Sequence, residues 1–206
     1  MASTYSSYPG DEAFKDFLIG HHCPLSLKTV KFRIWGQVTT IAMTLSPLQE
    51  IQSIWNNELP TFDNEDESKT FFETMMSLWN MLAEMNMTGK RLTLSQRTGL
   101  GDLLGLTLMV ERRLDELDSG FLTGFIADMR PFDDDEPKVS RAISKLVDLI
   151  DGLEEIMEAL DEADPDHGEL RTGFIRLDNK AQQRLDAVVR AANAFRGITT
   201  KTAGIH

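Results

Sequence analysis

Three short stretches of this chain hold side chains able to do chemistry. "EEIME", Glu154 to Glu158, places Glu154, Glu155 and Glu158 on a predicted helix, with Glu154 and Glu158 on one face. Carboxylates so spaced can hold magnesium against a phosphorylated substrate, but that chemistry needs a second acidic helix opposite them, and no partner E-x-x-D element follows downstream. "HHC", His21 to Cys23, gathers three potential metal ligands. Adjacent residues cannot turn easily toward one ion, and no second ligand pair stands at a zinc spacing, so the stretch reads as a turn closed by Pro24. Asp133 to Glu136 puts four carboxylates directly before Pro137. Without the glycine-punctuated pattern of a calcium loop this is a helix start, with Asp135 as its cap and Pro137 in its first turn. No glycine-rich phosphate loop, activated-serine elbow or Cys-His pairing occurs. The expectation is a noncatalytic chain with no metal or cofactor.

Helical periodicity dominates the elements that must carry these residues. Leu27, Val30, Ile34, Val38, Ile41 and Leu45 recur at three and four from Ser26 onward and predict an apolar stripe. Ser46, Pro47 and Gln49 spell a capping box, and Leu48, Ile51 and Trp55 give the next helix its face. After the break "NNELPTF", Asp63 reopens a helix with Glu65, Asp66 and Glu67 in its first turn. Its inner face is Phe71, Met75, Leu78, Trp79, Leu82 and Met85. Five methionines crowd this segment (Met75, Met76, Met81, Met85 and Met87), as core filler or as an adaptable groove.

A further helix is predicted from about Ser95, weakened by Gly99, Gly101 and Gly105. Gly120 and Gly124, one turn apart among Phe121, Leu122, Phe125 and Ile126, predict a close helix crossing. Val139 to Leu160 forms a long stripe, and a last helix is predicted from about Asn179. Strand alternation is almost absent. The chain reads as all-α, about seven helices in a single bundle-like domain over 26–197, with an arm and short helix over 1–25 and a flexible tail over 198–206.

Charge supplies the functional expectation. The 206 residues carry a formal net charge of −12, which disfavours contact with phosphate backbones, so no direct nucleic-acid binding is expected. Residues 111–169 hold 19 acidic and 6 basic side chains, whereas residues 171–206 hold 2 acidic and 7 basic ones. Seven tail cations are too few to neutralise that middle. Asp148, Asp151, Glu155 and Glu162 are therefore expected to form an acidic docking face for a basic protein. Cys23 alone carries a thiol, the opening residues lack a signal-peptide pattern, and no run reaches the roughly 18 apolar residues of a membrane span. A cytoplasmic protein with no membrane contact is expected, its oligomeric state left open.

"GQVTTIAMTLSPLQEIQSIW", Gly36 to Trp55, resembles the D-G-[FL]-L-T-A…S-P…W segment that opens members of the YecA/YgfB-like family of bacterial proteins. It keeps the glycine, Thr39, the Ser46–Pro47 break and Trp55. "GFLTGF", Gly120 to Phe125, is similar to that family's later G-[FY]-x-x-G helix. Trp35 stands where an aspartate is usual, Asp118 and Ser119 replace a tryptophan and a cysteine, and the cysteine-rich zinc tail of some members is missing. The resemblance implies an all-α bacterial cytoplasmic protein that regulates by binding other proteins, and it supplies no catalytic residues. The Glu154, Glu155 and Glu158 spacing resembles instead the magnesium helix of all-α nucleotide pyrophosphohydrolases, which implies a metal-dependent enzyme as the alternative.

Overall fold

Helices account for the regular structure of the chain, and no strand occurs among the described residues. The computed structural model describes residues 7–41, 46–126, 136–162 and 166–197. In chain order the helices are α1 (Asp11–Gly20), α2 (Leu27–Thr39), α3 (Pro47–Ile54), α4 (Glu65–Met87), α5 (Leu103–Leu114), α6 (Thr123–Ile126), α7 (Pro137–Leu160) and α8 (His167–Phe195). A π-helical segment, Asp115–Leu122, joins α5 to α6 without a break. Counting that continuous rod once, the described residues form seven helices, as the periodicity predicted.

Local chemistry explains most of the starts. The Ser26 side chain accepts from the Thr29 amide to cap α2, and Ser46 and Gln49 form the complete capping box of α3 with Pro47 in its first turn. α4 is capped by Asn64, one residue later than expected, while Glu67 reaches back to the Asp63 amide. Pro137 opens α7 as expected. The proposed cap Asp135 and most of the acidic run lie outside the described residues.

α2 is the central helix, which a single apolar stripe did not predict. It is buried nearly all round, with Val30, Phe32, Ile34 and Trp35 in the core. Glycine makes this possible. A Cβ on Gly36 would stand 2.3 Å from the Phe121 carbonyl oxygen, and one on Gly124 would stand 2.0 Å from that of Arg33. A Cβ on Gly120 would meet Phe32 at 2.8 Å. The expected close crossing is thus between α2 and the π–α6 rod, backbone against backbone. α1 packs on α2 by burying Phe14 and Leu18, and α7 and α8 pair as a long hairpin.

Three boundaries differ from the periodicity. α2, whose stripe was expected to reach Ile41 and Leu45, ends at Thr39, and Leu45 lies outside the described residues. The helix expected from about Ser95 starts at Leu103, capped by Asp102. Residues 89–102 form an irregular strap instead, in which Gly99 takes a left-handed φ of 75° and its carbonyl lies against Gly105. α8 starts at His167, well before Asn179, because the Asp166 side chain caps it at the Glu169 amide. The methionines of α4 are mostly inward. Met75 is in the core, Met76, Met81 and Met85 pack half-buried against it, and Met87 is exposed.

Candidate functional site

α7 buries Val139, Ile143, Leu146, Leu149, Ile150, Leu153 and Ile156. The period of about 100° per residue then fixes what the opposite side shows. Asp148, Asp151, Glu155 and Glu158 fall within an arc of about 80°, diametrically away from the buried stripe. All four are exposed, and exposed Glu162 follows just past the helix end. The structure therefore puts Asp148, Asp151 and Glu155 on one exposed face of α7 and adds Glu158 to them, with Glu162 exposed beyond the helix end. Glu154 is exposed beside this arc.

The electrostatics of α7 run against its own dipole. Its cations Lys138, Arg141 and Lys145 all precede its carboxylates, which run from Asp148 onward, and its last turn holds no basic residue. Carboxylates near a helix C-terminus add to the negative potential of the terminal carbonyls and cost stability. The arrangement concentrates negative potential at one end of a solvent-facing helix.

The basic helix α8 makes no direct ion pair with it. Among the described residues no ion pair within 4.0 Å joins α7 to α8. Two carboxylates of α8 pair with other parts of the chain: Asp178 with Arg97 at 3.3 Å and Arg113 at 2.6 Å, and Asp186 with Arg91 at 3.2 Å.

Other ionisable groups hold the fold. Arg113, 2 % exposed, pairs with Glu116 and Asp178 and donates to the Ser95 carbonyl at 2.9 Å, while Glu116 accepts from the Ser95 amide. Gln182 adds bonds to the backbone of Leu92 and Leu94. These side chains pin the 89–102 strap onto α5 and α8. Glu50, fully buried, accepts from Arg33 Nε at 2.8 Å, tying α3 to α2. Burial raises its carboxyl above the usual range, against the opposing pull of Arg33. At the far ends of α4 and α8, Asn86 and Asn193 exchange amide hydrogen bonds.

The remaining chemistry-bearing stretches are dispersed. His21 ends α1, with its ring packed against Phe17 and Phe71 and its carbonyl accepting from Trp55 Nε1. Cys23 lies half-buried further along that turn. Among the described residues no group of three or more His, Cys, Asp or Glu side chains is placed to hold a metal ion, Glu154, Glu155 and Glu158 included. No helix among them is long and apolar enough to cross a membrane.

A groove of about 510 Å3 between α1, the Cys23–Lys28 turn and α5 was not singled out from the sequence. Leu18, Ile19, Leu25, Leu27 and Leu108 supply its apolar wall, and Lys15, Lys28, Glu111, Arg112 and Asp115 its charges. Burial lowers the Lys28 ammonium and raises the Asp115 carboxyl from their ordinary values. A sequence signal existed: "LLGLTLMV" puts Leu104 and Leu108 on the side of α5 opposite Leu106 and Val110, so the helix is apolar all round. Compared with family models, curated proteins and solved structures, the chain matches none.

Proposed function

We propose that the chain is a noncatalytic protein-binding or regulatory factor that docks a basic protein on the acidic face of α7. The observation that carries this reading is the set Asp148, Asp151, Glu155, Glu158 and Glu162, all exposed and none in an ion pair within 4.0 Å among the described residues. A helix whose charges oppose its dipole gives up stability, and a docking role supplies a reason for keeping them. Complementary potential mainly accelerates encounter and suppresses wrong partners. The resemblance of Gly36–Trp55 and Gly120–Phe125 to the YecA/YgfB-like family points the same way and implies a bacterial cytoplasmic protein.

Affinity capture from the source organism's lysate tests the proposal when wild type is compared with Asp151→Lys/Glu155→Lys. A basic protein retained by the wild type and lost by the folded variant supports it. Equal retention of every captured protein by both contradicts it.

A further inference from the structure

The α7 face does not account for the apolar side chains that α1 and α5 leave in solvent. Ile19 is 63 % exposed, Leu104 70 % and Leu108 51 %, with Leu103 beside them. Four of the eight large hydrophobic residues exposed among the described residues thus lie on these two helices, Ile19 and Leu108 lining the groove and Leu104 one turn from Leu108 on the same face. Scattered single leucines need no explanation, but a contiguous apolar patch rimmed by polar groups marks an interface.

The charges around the patch select the occupant. Lys15, Lys28 and Arg112 stand with Glu111 and Asp115, and none of the five belongs to an ion pair among the described residues. A partner of one sign would be attracted by some of these groups and repelled by the others. A surface of the same mixed composition, turned about a two-fold axis, can offer both carboxylates a cation and leave one cation at the rim. The patch is also close to neutral on a chain of net charge −12, so like-charge repulsion between copies is weakest there.

We propose that the α1/α5 groove is the face through which two copies of this chain associate, Ile19, Leu104 and Leu108 forming the apolar centre and the mixed charges its rim. No residue of the acidic arc of α7 lines the groove. The two readings stand independently.

Sedimentation velocity over a dilution series up to roughly 100 μM tests it. Wild type is expected to show the mass of two copies and to dissociate on dilution. Leu104→Glu/Leu108→Glu is expected to raise the dissociation constant by more than about a hundredfold, because symmetry places each buried charge in the interface twice. Both residues are exposed in the single copy, so helix content and melting temperature should be retained. Should the double variant fail to fold, Ile19→Glu on α1 applies the same test from the other wall. A single-copy mass at every concentration overturns the proposal and leaves the groove to a different occupant, a helix of another protein or a small amphiphile. A dimer whose dissociation constant ignores these substitutions also overturns it.

Discussion

Replacing Gly124 by alanine inserts one methyl group where α6 meets α2. The new Cβ would stand 2.0 Å from the Arg33 carbonyl oxygen and 2.8 Å from its carbonyl carbon, against the 3.4 Å or more of an ordinary contact. Relief requires the two backbones to separate by about 1 Å or more. No side-chain rotation helps, because both obstructing atoms belong to the backbone. Overpacking of a tight core costs about 1–3 kcal/mol, and the rigidity of this contact puts Gly124→Ala near the upper end. For a chain of this size the melting temperature should fall by about 6–12 °C. Urea denaturation followed by far-UV circular dichroism should show a lower midpoint at an unchanged slope. Gly20→Ala is the matched control, since nothing lies within 4 Å of its Cβ position. It should remain within about 0.5 kcal/mol of wild type. A Gly124→Ala midpoint equal to wild type would refute the backbone-contact account of the α2–α6 crossing.

Arg113→Leu leaves Glu116 and Asp178 buried without their guanidinium, and should destabilise by about 3–5 kcal/mol. The milder Arg113→Lys should free the strap, so trypsin cleavage after Arg97 should accelerate before global unfolding does. Hydrogen bonding from Lys31 holds the Asp11 carboxyl below its ordinary value of 3.8, with burial opposing. A depressed folded pKa contributes stability above that ordinary value and loses it as pH falls through the depressed one. Wild type should therefore lose more stability than Asp11→Asn on acidification across that window, measured by urea titration at each pH. Glu158→Lys replaces an unfavourable charge in the last turn of α7 with a favourable one, and should stabilise the free protein by about 1 kcal/mol in low salt. A calorimetric melting temperature that fell instead would contradict the dipole argument.

Much of the architecture was legible because its determinants are local. Ser26 and Ser46 with Gln49 announce helix starts through bonds made within one turn, Pro137 does so through its fixed φ, and each start lies where those residues put it. Gly120 and Gly124 were legible as a crossing because apolar bulk surrounds them, although the partner helix was not. The late start of α5 was hidden because the strap is held from far away in sequence, by Arg113, Glu116 and Gln182. Leu103 and Leu104 fit a longer helical period equally well. The early start of α8 rests on one cap, Asp166, inside a run of acidic residues that read as the end of α7. Of the candidate site, the common face of Asp148, Asp151 and Glu155 follows from spacing alone. That none of these carboxylates is ion-paired to α8 among the described residues depends on where α8 turns its cations, which no local pattern encodes.

The central claim is that α7 presents an acidic face for a basic partner. Stopped-flow association of that partner, measured against ionic strength for wild type and for Asp151→Lys/Glu155→Lys, tests it most directly. Exposed charges are screened within about 8–10 Å at physiological salt, so the wild-type association rate should fall steeply as salt rises, and the variant should be slower with a flatter dependence. Rates that coincide for the two proteins and ignore salt would contradict the claim.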